Sequence, residues 1–144
     1  MCHRCDYKSL LELSGLGHTA NRLRVLEIIG NRSHPLSAQE IIEELNKETQ
    51  EVNRVTVYRI LELLVGKRLV ERISAGDRSF RYGLAPNTNH QPHSHFYCLE
   101  CKEMECLSPD QINLDTQPLT RSFLGLIERV EVRIDGICED CRRH

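Results

Sequence analysis

Residues 53–84 read NRVTVYRILELLVGKRLVERISAGDRSFRYGL, and this stretch decides the architecture of the first half of the chain. Asn53 can cap a predicted helix that extends to about Lys67. Apolar residues recur at three- and four-residue spacing on one stripe of this helix: Val57, Ile60, Leu61 and Leu64. The alternating, β-branched segment 69–73, a turn at 74–77 and a returning segment at 79–84 predict a β-hairpin.

Two further helices are predicted upstream. Thr19 can cap a helix that extends through Asn31. The residues at 37–40, Ser-Ala-Gln-Glu, have the spacing of a capping box that opens a helix after Pro35. Three helices followed by a hairpin predict an N-terminal winged helix-turn-helix domain over residues 1–84.

The polar face of the helix after Asn53 suits DNA, because a helix-turn-helix module reads DNA with one helix in the major groove. Arg54 and Arg59 can donate to phosphate or guanine. Thr56 and Tyr58 can contact a phosphate or a thymine methyl. A solvated polar face on a structural helix is the alternative. The arginines of the hairpin favour DNA binding: Arg72, Arg78 and Arg81.

The charge distribution limits how DNA can be held. The chain of 144 residues has a net charge of −2, with 13 Lys/Arg against 11 Asp/Glu in residues 1–85 and 6 against 10 in residues 86–144. The basic excess of the first half is small. DNA binding must therefore come from individually placed residues rather than from a general positive field.

A break at residues 85–92 separates this domain from a second one. The segment APNTNHQP contains two prolines and is predicted to be a hinge linker. Residues 93–144 are predicted to form a small αβ domain with strands at 95–98 and 104–107, a helix over 119–127 and a strand over 130–135. A sheet this small leaves edges that a second copy of the chain can cover, so we expect a dimerisation domain and an α+β fold overall.

Two Cys-x-x-Cys pairs lie in this second domain, Cys98 with Cys101 and Cys138 with Cys141. Four thiolates in two close pairs match the ligand set of structural zinc. Disulfides are the alternative, but the N-terminus lacks the apolar run of a signal peptide, and thiols in a reducing cytoplasm favour metal. No stretch approaches the roughly 18 apolar residues of a membrane span. We therefore expect a cytoplasmic, zinc-stapled protein that does not enter a membrane.

Five motifs follow one another between Gly15 and Cys141: TANR at 19–22, LSAQEI at 36–41, VTVYRIL at 55–61, HSH at 93–95 before the first cysteine pair, and the terminal pair itself. In order and spacing they resemble the ferric uptake regulator superfamily of bacterial metal-responsive repressors. The resemblance implies a homodimer whose winged helices bind an A·T-rich inverted repeat of double-stranded DNA. It also implies a structural Zn²⁺ on the four cysteines and a separate regulatory divalent metal, Zn²⁺ or Fe²⁺, near the hinge. We include Arg22, from the first motif, among the DNA-binding residues.

The regulatory metal is expected beside the first cysteine pair. His93 and His95 alternate along the start of a strand and so point to one side. In the family an acidic residue lies five positions after the second zinc cysteine, and here that position is Cys106. A thiolate there favours zinc over ferrous iron or manganese.

Other positions depart from the family pattern. The family usually has a histidine two residues before the Ser-Ala of the second motif, where this chain has Pro35, and an acid or a cysteine at the end of the hairpin, where it has Gly83. The predicted substitutes are His34, Asp77 and His90. The ligand positions of a second family site correspond here to Ser94, Asn113 and Val130. The Val130 side chain cannot bind a metal.

These features predict a metal-dependent DNA-binding transcription regulator of metal homeostasis, most simply a repressor. Zinc-responsive or divergent metal sensing ranks first, iron sensing second and peroxide sensing third. A zinc enzyme needs an open coordination position, which four cysteines do not leave, so we expect no enzymatic activity. A zinc-stapled protein-interaction module without DNA binding is the remaining alternative. Three further ligand types near the N-terminus have no assigned role: Cys2, His3 and Cys5.

Overall fold

The structure is a computed structural model that describes residues 6–17, 19–48, 52–87 and 91–144. The chain divides into two compact units, residues 1–92 and 93–144. Each unit contains both helices and a three-stranded sheet, which confirms the predicted α+β class.

The described part of the first unit contains α1 (Tyr7–Leu13), α2 (Ala20–Gly30), β1 (Leu36–Ser37), α3 (Ala38–Glu48), α4 (Arg54–Gly66), β2 (Val70–Ser74) and β3 (Phe80–Leu84). The predicted caps of α2 and α4 are confirmed. Thr19 Oγ1 accepts a hydrogen bond from the Arg22 N–H at 3.2 Å, and Asn53 Oδ1 accepts one from the Val55 N–H at 2.8 Å. These oxygens satisfy amide groups that have no partner within the helix.

The capping box of α3 is also confirmed. The Glu40 N–H donates to Ser37 Oγ at 3.1 Å, and the Ser37 N–H donates to Glu40 Oε1 at 3.1 Å. The reciprocal pair fixes the start of α3 directly after β1. It therefore sets the angle at which the chain enters the first helix of the helix-turn-helix pair.

The core of the first unit lies between α2, α3, α4 and one face of the sheet, whose strand order is β1-β3-β2. All neighbouring strands are antiparallel, and β2 and β3 pair from Val70 opposite Leu84 to Ser74 opposite Phe80. The base of the hairpin joins the core through Val70, Tyr82 and Leu84. We call β2, β3 and the turn 75–79 the wing. Burial of each large apolar side chain contributes about 1.5–3 kcal/mol, which anchors the wing at its base.

Helix α1 was not predicted. It packs through Leu11, which is fully buried, and through Tyr7, whose ring covers Gly30 of α2 so closely that a Cβ there would lie 2.4 Å from Tyr7 Cε1. The Tyr7 hydroxyl donates to Asn31 Oδ1 at 3.0 Å. The pairing of an aromatic residue with a distant glycine gives no local periodic signal, and so the sequence pattern did not reveal it.

The second unit contains β4 (His95–Cys98), β5 (Met104–Cys106), α5 (Gln117–Ser122), β6 (Arg133–Gly136) and α6 (Glu139–Arg143). The strand order is β5-β4-β6, with β5 antiparallel and β6 parallel to the central β4. The predicted β4 is confirmed and β5 ends one residue early. The short α6 was not predicted.

The prediction was wrong about the extents of α5 and β6. A helix over 119–127 was expected, but α5 ends at Ser122, where the hydroxyl bonds back to the Pro118 carbonyl oxygen at 2.9 Å and Gly125 follows shortly after. Both features disfavour helix continuation. A strand over 130–135 was expected, but β6 begins at Arg133 because it pairs with His95, the first residue of β4.

The second unit exposes much of its apolar content. Large hydrophobic side chains at its surface are Leu99, Leu114, Leu119, Phe123, Leu124, Leu126, Val130, Ile134 and Ile137. A concentration of this kind on one small unit marks an interaction surface. Separately, none of the helices in the described residues is long and apolar enough to cross a bilayer.

Candidate metal centres and nucleic-acid interface

Four cysteine side chains of the second unit converge on one point. Cys98 ends β4 and Cys101 follows in the next turn, whereas Cys138 precedes α6 and Cys141 lies within it. The parallel pairing of β4 with β6 places Cys98 opposite Gly136, two residues before Cys138. The four Sγ atoms all lie within 4.8 Å of one another, and we call these residues the cysteine cage.

The spacing of these sulfurs fits zinc. The Sγ atoms of Cys101 and Cys138 lie 3.8 Å apart. A tetrahedral site with Zn–S bonds of about 2.3 Å requires sulfur atoms roughly 3.8 Å apart. The cage therefore has the donor chemistry and the separation of a structural zinc site, and four protein ligands leave no position for a reacting group.

Hydrogen bonds from backbone amides favour the deprotonated form of one sulfur of the cage, the form that binds a cation. The Cys138 N–H donates to Cys98 Sγ at 3.4 Å. Together with the Cys101 N–H, it lowers the pKa of Cys98 from 9.0 to about 6. Hydrogen bonds among the thiols, first of all with Cys138, hold the pKa of Cys141 above its ordinary value. Cys98 is thus the thiol of the cage that loses its proton more readily than Cys141, and a bound cation would favour loss of the proton from both.

A second group of ligand types lies on the same strands. His95 on β4 is directly opposite Cys106 on β5, and the rings of His93 and His95 have centroids 4.7 Å apart. One donor atom from each of the three residues lies within 4.8 Å of the others. His95 is 3% exposed, whereas His93 is half-buried and Cys106 exposed, so the group opens to solvent on one side. We call these three residues the sensor group.

The sensor group differs from the cage in the type and number of its ligand atoms. Two imidazoles and one thiolate suit zinc. Three protein ligands leave a position for a further ligand, unlike the closed cage. The sequence grouped these three residues, and the structure brings their donor atoms together.

Two other predicted regulatory residues lie in the first unit. His34 is half-buried between α2 and β1. Asp77 lies in the turn of the wing, where its carboxylate accepts from the Ser79 N–H at 3.0 Å and pairs with Arg81 at 3.6 Å. Among the residues that the structure describes, neither belongs to a group of three metal-ligand types. Outside the described residues are His90, Cys2, His3 and Cys5.

The polar residues predicted to read DNA are exposed or half-buried on α4: Arg54, Thr56, Tyr58 and Arg59. Arg54 donates a hydrogen bond to Gln39 Oε1 of α3, so the preceding helix positions this guanidinium. Arg22, the remaining predicted DNA-binding residue, donates to the Gly17 carbonyl oxygen at 3.1 Å.

The wing arginines differ in role. The Arg72 guanidinium lies 4.3 Å from the centroid of the Phe80 ring, a cation–π contact on the surface. Arg81 is only 8% exposed and bonds to Ser79 and Asp77 within the wing. Arg81 therefore holds the turn instead of facing DNA, a role that the sequence prediction did not separate from that of Arg72.

Tyr82, which the sequence analysis did not single out, joins the wing to α4. Burial raises the pKa of Tyr82, the charge of Arg72 opposes the rise, and Tyr58 and Glu62 add to it. Groups on both α4 and β2 thus influence the ionisation of one β3 side chain. Tyr82 belongs to the same buried cluster as the apolar residues of α4, and its inward position in the alternating hairpin was the available signal.

Comparison with known proteins agrees with these features. The sequence profile described as the ferric uptake regulator family matches residues 13–123. The ferric uptake regulation protein of Vibrio cholerae is 31% identical over 136 residues, covering 92% of this chain and 87% of that protein. The crystal structure of the Vibrio cholerae ferric uptake regulator matches with a TM-score of 0.74 at 25% identity, covering 92% of this chain and 100% of that one. A zinc uptake regulator complexed with zinc and DNA shares the fold, with a TM-score of 0.63 at 18% identity over 94% of this chain and 90% of that one. The chain therefore belongs to the ferric uptake regulator family.

Proposed function

We propose that this chain is a homodimeric transcription repressor of metal homeostasis that binds an A·T-rich inverted repeat of DNA when the sensor group holds zinc. The observation that carries the proposal is the presence of two separate metal-ligand groups, the closed cage of four cysteines and the open group of His93, His95 and Cys106. A regulator needs both properties, a fixed scaffold and a site from which metal can leave. Membership of a family of transcription regulators rules out an enzyme.

Support for DNA binding comes from α4 and the wing. Tyr58 and Arg59 are exposed on α4, and Arg72 is exposed on the adjoining wing. Arginine and tyrosine supply the donors that reach phosphates and base edges. The zinc uptake regulator of the same fold is complexed with zinc and DNA. These observations favour DNA over a purely protein partner.

Support for a homodimer comes from the second unit. Its exposed apolar residues include Phe123, Leu124 and Leu126, of which Leu124 and Leu126 are 101% and 84% exposed. The outer edge of β6 lies nearby in sequence, and both the edge and the apolar residues are features that a second copy can cover. Two copies would supply two reading helices, as an inverted repeat requires.

Support for zinc comes from Cys106. Thiolate is a soft ligand that zinc accepts readily, whereas ferrous iron and manganese favour a carboxylate. His93 directly follows the linker, so ligation of its imidazole restrains the backbone where the two units join. A metal can raise DNA affinity only to the extent that it binds the DNA-binding conformation more tightly than the other conformation. Such coupling typically changes the affinity about 5- to 150-fold.

The test is a titration of operator DNA by fluorescence anisotropy, with the cage loaded and with Zn²⁺, Fe²⁺ or Mn²⁺ added without oxygen. We expect Zn²⁺ to tighten binding by the wild-type protein most strongly. His93→Ala and the His93→Ala/His95→Ala double variant should lose this response, while His144→Ala, at an exposed position far along the chain, should keep it. Unchanged metal dependence in the double variant would contradict the sensor assignment, and no DNA binding under any condition would contradict the regulator.

A further inference from the structure

The first turn of α4 presents an apolar side chain to solvent. Val55 is 53% exposed, whereas four other apolar residues of this helix are buried in the core. The buried residues of α4 are Val57, Ile60, Leu61 and Leu64. Val55 therefore lies outside the stripe that holds the helix in place, and its isopropyl group is available to a binding partner.

The polar groups beside Val55 are already engaged. The Asn53 side-chain oxygen accepts from the Val55 N–H as the helix cap. The Arg54 guanidinium donates across to Gln39 of α3. Val55 is consequently the outward-facing residue of this turn whose side chain carries no polar group.

Val55 shares its face with the two strongest candidates for DNA contact. Tyr58 and Arg59 follow it at three- and four-residue spacing, which makes the three side chains neighbours on the helix surface. Glu62 is exposed one turn further on, and its negative charge disfavours close approach of a phosphate there. The amino-terminal half of α4 is therefore the part that enters a groove, as in other helix-turn-helix proteins.

We propose that Val55 determines base specificity by packing against the C5 methyl group of a thymine in the major groove. This inference rests on the proposed DNA-binding function. The thymine methyl is the apolar group that the base pairs present in that groove, and an exposed aliphatic side chain recognises it by contact rather than by hydrogen bonding. Cytosine at the same position lacks the methyl and offers a polar amino group instead, so Val55 discriminates between the two pyrimidines.

The experiment removes the methyl from the DNA and the isopropyl group from the protein in turn. The operator is first selected from random duplex DNA by the zinc-loaded wild-type protein. Each thymine of one half-site is then replaced singly by deoxyuridine, which keeps the base pair and lacks the methyl. For wild-type protein, one position should lose about fourfold in affinity, the value expected for one buried methyl-sized group. In Val55→Ala that penalty should disappear, while the penalties at other positions should stay.

Val55→Ala is a suitable variant because the side chain is exposed and alanine is the better helix former. Leu13→Ala, which truncates an 86% exposed leucine of α1, is the matched control and should keep the deoxyuridine penalty. A penalty of unchanged size in Val55→Ala overturns the inference and leaves DNA binding intact. Failure of the wild-type protein to select any DNA overturns the proposed function, and this inference with it.

Discussion

His95 and Cys106 lie directly opposite each other on antiparallel strands β4 and β5. The buried imidazole and the exposed thiol thus meet across one strand pair, with His93 beside them. Because the strand pairing fixes both Cα positions, the identity of residue 106 can change without moving the histidines. Substitution of residue 106 therefore changes the set of ligand atoms in this group separately from the fold.

Cys106→Glu should shift the metal preference of the sensor group from zinc towards Fe²⁺ and Mn²⁺. A carboxylate is a harder ligand than a thiolate, and an exposed position accommodates the longer side chain. We expect zinc affinity to fall on the order of tenfold or more, measured by competition with a chromophoric chelator, and Fe²⁺ to become the better activator of DNA binding. The cage zinc serves as the internal control and should stay bound. An unchanged order of metals would show that Cys106 is not a ligand.

Removal of zinc from the cage should unfold the second unit and spare the first. The buried residues of the second unit are few, namely His95, Tyr97, Cys98 and Met104. A core of this size does not stabilise a domain without a metal or a partner. Structural zinc contributes about 10–16 kcal/mol of apparent binding free energy in small zinc domains.

Cys141→Ser tests this expectation, because serine keeps the size of the half-buried side chain but cannot supply a thiolate. Bound zinc should fall below one ion per chain, and the amide signals of residues 93–144 should collapse in a two-dimensional NMR spectrum while those of residues 19–48 stay dispersed. Cys106→Ser is the matched control and should keep the cage zinc. A second unit that remains ordered without zinc would refute the structural role.

The sequence predicted the parts of the fold that local chemistry controls. The caps at Thr19 and Asn53 and the box of Ser37 and Glu40 are formed by neighbouring residues, and each is present. Features that depend on distant contacts were missed or misplaced. Helix α1 packs against α2 through the contact of Tyr7 with Gly30, and β6 extends only as far as its pairing with β4.

The same division holds at the candidate sites. The Cys-x-x-Cys spacing alone predicted Cys98 and Cys101 as metal ligands. The alternation of His93 and His95 along a strand predicted two imidazoles on one side of it. The side chain of Arg81 could not be assigned from spacing, because its partner Asp77 belongs to the turn and its burial depends on tertiary packing. Alternation places a residue on a face but does not tell which face meets solvent.

Gly30→Ala should displace Tyr7 and loosen α1. A Cβ at this position would lie 2.4–2.5 Å from two ring carbons and the hydroxyl oxygen of Tyr7, so the side chain must move and give up its hydrogen bond to Asn31. We expect a loss of about 1–3 kcal/mol in the free energy of unfolding, measured by urea denaturation.

Gly66→Ala is the matched control for this change. A Cβ at Gly66 meets nothing within 4 Å at the end of α4. It should raise stability by about 0.5–1 kcal/mol, because alanine restricts the unfolded chain and favours the helix. In a Tyr7→Ala background the cost of Gly30→Ala should vanish. If Gly30→Ala still lowered the free energy of unfolding in the Tyr7→Ala background, the loss would have a cause other than the Tyr7 ring.

The wing should lose stability in acid through Asp77. Hydrogen bonds from Ser79, then the charge of Arg81, hold the pKa of this carboxyl below its usual value of 3.8. The folded wing therefore binds the proton less well than the unfolded chain does. The stabilisation is complete about one pH unit above the unfolded value of 3.8 and is lost as the pH falls through the folded pKa. Asp77→Asn should remove this dependence while keeping much of the shape, and NMR titration of the Asp77 carboxyl should give a midpoint below 3.8. A midpoint above that value would mean that Ser79 and Arg81 do not stabilise the ionised Asp77 carboxylate in the turn.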